Sequence, residues 1–317
     1  VMTGALAIVL IYGITSAGGW TAVMDNAAAL PGYLSLTSTF DVASGSEVKY
    51  NFLTIFSTAA WGLGYFGMPH ILVRFMAIED EKKLVLSRRI ASVWVVIAMT
   101  AGVLIGIVGL GMTKAGALET LTGSNSETII VRIAGIISQH NALTALIAGI
   151  ILAGILAATM STADSQMLAA ASGVSQNIVH DFLKIKISEK TNLLIARLTI
   201  VGIAIVSIFL ARNPNSSVFK IVSFAWAGFG GAFGAVVLCS LFWKRCNLAG
   251  AIAGIISGGA TVFIWKYLIR PLGGILDIYE LLPAFIVSLI FIIVVSLLTK
   301  APDEEIVREF EAASQKA

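Results

Sequence analysis

Charge is the scarcest commodity in this 317-residue chain: Asp, Glu, Lys and Arg make up only 12%, against roughly a quarter in ordinary soluble domains. With 57% hydrophobic residues and a mean hydropathy of +0.92, a soluble globular protein is excluded. Two cysteines and three histidines are too few for a disulfide framework, and no spacing among them makes a metal site. Cys239 and Cys246, seven apart at the inner end of an apolar run, are expected to pack. The net charge is +3 and no basic cluster is interleaved with aromatics, so nothing points to a nucleic-acid partner.

What is present is apolar length. Eight stretches, at about 1–19, 52–76, 90–112, 142–171, 193–211, 218–243, 248–268 and 278–299, can each cross the ~30 Å of bilayer hydrocarbon. They lack period-two alternation, which excludes a membrane β-barrel and predicts an all-α polytopic membrane protein. Residues 1–299 then form the membrane domain and 300–317 a polar, Pro-started cytoplasmic tail. Placing residue 1 inside puts thirteen basic residues in inner segments (Arg74, Lys82, Lys83, Arg88, Arg89, Lys184, Lys186, Lys190, Lys244, Arg245, Lys300, Arg308, Lys316) and seven outside (Lys49, Lys114, Arg132, Arg212, Lys220, Lys266, Arg270). Arg197 lies within the fifth span, and the positive-inside bias makes the C-terminus cytoplasmic. Val1–Gly19 reads as a span without a basic leader or a cleavage site, so further helices are expected upstream.

The outer segment 20–50, polar and carrying Pro31, Gly32 and Gly45, is expected to be a lid-like loop. Between residues 126 and 140, Ile129, Ile130, Ile133, Ile136 and Ile137 recur at helical spacing and predict an amphipathic helix in the membrane interface. Glycine clusters in two spans: Gly62, Gly64, Gly67 with Pro69 in the second, and Gly228, Gly230, Gly231, Gly234 in the sixth. The first cluster predicts a broken helix lining a cavity, since freed backbone groups persist in a membrane only where something satisfies them. The second predicts close packing through small residues.

Two constellations carry chemistry. Around the break, amides suit a carboxylate, carbonyls suit an ammonium, and Trp61 and Tyr65, four apart, offer aromatic surface on one side. That set holds a small zwitterion. His70 and Arg74 follow toward the inner end, where Arg74 reads as gating or structural. In the fourth span Ala158, Ser161 and Thr162 share a helix face, presenting one carbonyl and two hydroxyls, neutral oxygens suited to sodium. The competing account is that such hydroxyls bond back to their own helix. Asp164 fits an ion ligand or a residue reaching the inner headgroups equally well.

The strings WGLGYFGxPHIxxRFMA, ILAAxMSTxxSQxL and VSFAWAGFGGAFGAVVL resemble the sodium:solute symporters, within them the proline branch, over essentially the whole chain. The resemblance implies a five-plus-five inverted-repeat core, of which residues 1–19 would be the last helix of the first repeat, the next five spans the second repeat, and the last two appended helices. It implies sodium as coupling ion at Ala158, Ser161 and Thr162, with Asp164 and Ser165 where some relatives place a further sodium. It puts Trp61, Tyr65 and Pro69 on the substrate side, with a small amino acid, foremost L-proline, as cargo and no other cofactor. Met68 departs from the family pattern, a thioether standing where the proline carriers have Gln, and this loosens the expected selectivity.

Two other classes fit less well. An intramembrane serine enzyme needs Gly-x-Ser-Gly and a distant His, but the chain offers Gly173, Val174, Ser175 and Gln176 with His180 five residues beyond. An aspartyl type needs a second acid beside Asp164. A carbonyl-filter channel would use Gly62–Gly67, which lacks a Gly-Tyr-Gly core.

Overall fold

A computed structural model describes residues 2–185, 188–212 and 217–314. Val1, Lys186 and Lys316, used above for the first span and the charge count, lie outside the described residues. The chain divides into two compact units, Val1–Val48 with Ile78–Val218 and Lys49–Ala77 with Phe219–Ala317.

The first unit begins with α1 (Met2–Ser16) and α2 (Trp20–Ala28), bent 79° apart. Gly18 and Gly19 make the corner with φ of +90° and +97°, a region open to glycine at little cost. Then come a hairpin of β1 (Ser38–Asp41) and β2 (Ser46–Lys49), α6 (Lys83–Lys114), α7 (Ile129–Ser138), α8 (Ala142–Ser172) and α9 (Glu189–Leu210). Asn141 starts α8 with a reciprocal cap, its side chain accepting from the Thr144 amide at 3.0 Å while Thr144 Oγ1 accepts from the Asn141 amide at 3.0 Å. Beyond Ser172 the helix continues in wider π form over Gly173–Phe182. The core gathers Val9, Val23, Ile105, Val108, Met112, Ile133 and Ile151, while Leu146, Leu194 and Leu198 stay exposed, as lipid-facing side chains must.

Two expectations for this unit are corrected. The 20–50 segment is not a bare loop: it holds α2, whose Val23 and Ala27 are fully buried, and the hairpin. The amphipathic helix exists as α7, but Ile133, Ala134 and Ile137 bury their face in protein, against α8 and α1, instead of in lipid. Partner helices satisfy the apolar stripe before lipid does.

The second unit holds α3 (Phe52–Ala59), α4 (Trp61–Gly64), α5 (Pro69–Met76), α10 (Val218–Phe229, its first residue falling in the other unit), α11 (Ala235–Phe242), α12 (Leu248–Ile264), α13 (Leu281–Leu298) and α14 (Glu304–Ser314). Its framework is the α12–α13 pair, closed through glycine. A Cβ on Gly250 would meet Ser296 Oγ at 1.9 Å, and one on Gly254 would meet Ile292 at 2.3 Å. Cys239 is buried with Ala235, Phe285 and Ile292, and Cys246 packs beside it; both are free thiols, as expected of packing residues. The tail helix α14 carries an ion pair from Glu311 to Lys244, and Arg245 Nη2 donates to the Thr299 carbonyl at 2.8 Å.

Among the described residues six helical stretches are long and apolar enough to cross a membrane, or seven if the bent α1–α2 pair is one span. The chain is an all-α polytopic membrane protein. The eighth expected span, 52–76, drops out of that count because it is interrupted.

Candidate functional site

The interruption has a local cause. Helical backbone runs through α3, Ala60 and α4, tightens into a 3-10 turn at Tyr65–Gly67, and stops at Met68, whose φ of −85° and ψ of 111° are extended. Pro69 dictates this, because it disfavours helical geometry in the residue before it and lacks an N–H, yet suits the first position of the next helix. The Met68 carbonyl then accepts from the amides of Ile71 and Leu72 at 3.0 and 3.1 Å and restarts the ladder as α5. Helix ends leave carbonyls on one side and amides on the other without regular partners, here in the middle of an apolar run.

The glycines let a second helix close on this break. After α10 the chain turns π-helical over Gly230–Gly234 before α11. A Cβ on Gly230 would lie 2.7 Å from Gly64 Cα, and one on Gly67 would lie 2.4 Å from the Phe229 carbonyl oxygen. The two glycine clusters are therefore one crossing. The sixth-span cluster packs closely, as its small residues predicted, and Gly231 and Gly258 carry the contact to α12, where a Cβ on Gly258 would reach 2.0 Å from the Gly231 oxygen.

An aromatic cluster sits at the same crossing. Trp226 Nε1 donates to the Trp61 carbonyl at 3.0 Å, passing where a Cβ on Gly64 would stand 1.9 Å away. The Trp61 ring stacks on Phe219 at 5.4 Å, Trp226 at 5.7 Å and Tyr279 at 5.9 Å, and Tyr65 meets Trp226 edge-on at 4.8 Å. Trp61 is half-buried, Tyr65 and Pro69 exposed, and Met68 buried at 7% exposure. His70 is half-buried and Arg74 exposed, four apart on α5. Phe219, Trp226 and Tyr279 were not singled out from the sequence. Trp226 could have been, since an indole N–H in a glycine-rich span must find an acceptor.

The other constellation lies in the first unit, on an unbroken helix. Ala158, Ser161, Thr162 and Asp164 are exposed on α8 and Ser165 is half-buried. Thr162 Oγ1 lies 3.4 Å from the Ala158 carbonyl, and Ser165 Oγ donates to the Ser161 carbonyl at 2.9 Å. Back-bonding thus operates on this face, strongly at Ser165 and weakly at Thr162. Asp164 makes no ion pair among the described residues. The described residues likewise hold no cluster of His, Cys, Asp and Glu fit for a metal ion.

A discontinuous span among continuous ones, burying Ala60, Gly64, Gly67 and Met68 at a helix crossing, is a feature shared with secondary transporters. Comparison with known proteins agrees: the pattern of the sodium:solute symporter family matches residues 1–258. The chain belongs to that family. It is 38% identical over 310 residues to the osmoregulated proline transporter OpuE of Bacillus subtilis (strain 168), covering 98% of this chain and 59% of that one. It is 40% identical over 264 residues to the sodium/proline symporter of Escherichia coli (strain K12), covering 83% and 51%. With the high-affinity proline transporter PutP of Bacillus subtilis it shares 38% over 272 residues, covering 86% and 54%. The chain thus spans little more than half the length of these relatives.

Proposed function

We propose that the protein is a sodium-coupled symporter, not an enzyme, that takes up a small amino acid, L-proline first, across the cell membrane with its C-terminus in the cytoplasm. The observation that carries this is the break at Met68–Pro69, an interruption of an apolar span at its glycine crossing with Phe229–Gly230. Amides and carbonyls at the two helix ends of such a break match the two ends of a zwitterion, and Trp61, Tyr65, Met68 and Pro69 offer the apolar part of the site. Ala158, Ser161 and Thr162 take the coupling sodium, with Asp164 and Ser165 as a second ion position. His70 and Arg74 act in gating or support. The fold follows the five-plus-five repeat, residues 1–299 form the membrane part, and 300–317 the tail. Three relatives named as proline carriers, at 38–40% identity, support the choice of cargo.

The energy suffices. One charge crossing ~100 mV releases about 2.3 kcal/mol, and a tenfold sodium gradient adds about 1.4 kcal/mol. Together, about 3.7 kcal/mol supports accumulation of several hundred-fold at one ion per solute.

The test is uptake of labelled L-proline by cells that lack other proline carriers and express the protein from its own reading frame. Uptake that requires sodium and shows counterflow, in which outside solute exchanges one for one with loaded solute, supports the proposal. Uptake indifferent to sodium overturns the coupling, and flux without counterflow favours a channel.

A further inference from the structure

The link between α12 and α13 is shaped by charge. It runs through a π turn at Trp265–Ile269, a 3-10 turn at Arg270–Leu272, two glycines with φ of +75° and +63°, and a further 3-10 turn at Gly274–Asp277. At its end stands Glu280, a carboxylate only 1% exposed. Arg270 Nη1 donates to Glu280 Oε2 at 2.8 Å while its Nε donates to Asp277 Oδ1 at 2.7 Å. Lys266 Nζ lies 3.7 Å from Glu280 Oε1 and also 3.7 Å above the Phe224 ring centre. A buried carboxylate is tolerated only when paired in this way, so the clasp holds or fails as a unit.

The residue next to the clasp is Tyr279. Its amide donates to Ser57 Oγ at 3.0 Å, its hydroxyl donates to the Ser223 carbonyl, and its ring lies at 15° to that of Trp61. One residue from the α12–α13 link therefore touches the helix leading into the break through its amide, and the helix crossing it and the indole between them through its side chain. Apolar packing alone would hold these elements together without fixing a ring plane.

We propose that Arg270 and Glu280 are positioning residues: their clasp sets Tyr279 as a wall of the aromatic site at Trp61, and so tunes solute affinity from a segment outside the broken span. This rests on the transport reading above. Two measurements separate the two ideas. Purified wild-type chain, Glu280→Gln, Arg270→Lys and Tyr279→Phe are compared by tryptophan emission and acrylamide quenching, each also in a Trp61→Phe background. The proposal expects a red shift and stronger quenching for Glu280→Gln that vanish without Trp61. Proline uptake is then measured for the same variants expressed from the native reading frame. KM should rise about tenfold for Glu280→Gln, as expected when a contacting group is displaced, with Vmax per molecule and half-saturating sodium unchanged. Arg270→Lys, which keeps the charge and loses the fork, should show a smaller rise. If Glu280→Gln does not accumulate, Tyr279→Phe decides, since it removes only the bond to Ser223; its KM should still rise. Unchanged KM in Arg270→Lys and Tyr279→Phe, with unchanged emission, overturns the proposal and leaves the clasp as a brace. Absence of uptake by wild type overturns the transport reading instead, and the emission measurements then decide the clasp by themselves.

Discussion

In the second span α4 ends in a 3-10 turn and the chain straightens at Met68, whereas α8 runs from Ala142 to Ser172 without interruption and carries its polar atoms on side chains. The two regions put oxygen and nitrogen into apolar helices by opposite means. Breaking the helix offers backbone groups of both signs, but it needs a neighbour close enough to exclude lipid, and Gly64, Gly67 and Gly230 supply that closeness. Keeping the helix whole offers only hydroxyls and their shared carbonyls, which need no break and no crossing neighbour to expose them. The break is thus stabilised by tertiary structure and the α8 face by local bonds. Substitutions should fail differently in the two.

The largest effect is expected at the break. Gly64→Ala drives a methyl to 1.9 Å from Trp226 Nε1 and threatens the bond to the Trp61 carbonyl. Overpacking of this kind costs about 3 kcal/mol, the upper end of its usual range. Gly62→Ala, two residues earlier with nothing within 4 Å, is the control and should be neutral or stabilising by about 0.5 to 1 kcal/mol. Thermal unfolding of both variants in detergent measures the gap. Equal midpoints would mean the crossing is loose and the contrast between the regions is lost.

On α8 the prediction is functional. Ser161→Ala removes a hydroxyl that makes no hydrogen bond among the described residues, and Thr162→Ala one held only at 3.4 Å. If both are sodium ligands, losing a charge-assisted contact costs roughly 1.5 to 3 kcal/mol, a rise of about ten- to hundredfold in half-saturating sodium. Ser165→Ala, at the second ion position, is the comparison: its hydroxyl also donates to the Ser161 carbonyl, so its half-saturating sodium should rise less than theirs. A sodium titration of uptake that ranks Ser165→Ala above the other two would transfer the role to the back-bonded position.

Met68 gives a smaller effect that sharpens the view of the break. It is buried at 7% exposure where the chain is extended, and a thioether adapts to varied apolar shapes. Recognition by apolar bulk discriminates by only about 1 to 3 kcal/mol per methylene. Ring-size and ring-substituted proline analogues should therefore compete appreciably with labelled proline, and Met68→Gln should narrow the range. Identical competition by both forms would mean that Met68 packs away from the solute.

The legibility of these features in the sequence follows the range of the forces behind them. The break is written locally, in Gly62, Gly64, Gly67 and Pro69, and so are the apolar runs and the isoleucine stripe of α7. The hairpin was missed although Asp41, Gly45 and the short runs beside them carry turn chemistry, because a polar stretch between spans reads as loop. Likewise α2 escaped notice behind Gly18–Gly19, although Trp20, Val23, Met24 and Ala27 have helical spacing. What no local pattern shows is the meeting of Gly64 with Gly230, or of Trp61 with Trp226 and Tyr279. These pairs lie 165 or more residues apart, and only the packed fold brings them together.

The smallest expected effect belongs to the first unit's hairpin, where local bonding can be tested apart from any helix. Asp41 Oδ2 accepts from Ser44 Oγ at 2.7 Å and from the Ser44 amide at 3.1 Å, and Oδ1 accepts from the Ala43 amide at 3.2 Å. The Ser44 hydroxyl first, then the two amides, hold this carboxyl below the usual carboxylate range. A depressed folded value means that the carboxylate's contribution to the turn is complete above the unfolded value of about 3.9 and is lost as pH falls through the lower, folded one. Because the groups that hold it all belong to the same turn, the effect is local, and the rest of the unit should not respond. The measurement is the NMR shift of the Ser44 amide as pH is lowered, with Asp41→Asn as the silent control. A midpoint at or above the ordinary carboxylate value would show that the hairpin turn is not held by Asp41, and that even the locally bonded parts of this unit depend on their neighbours.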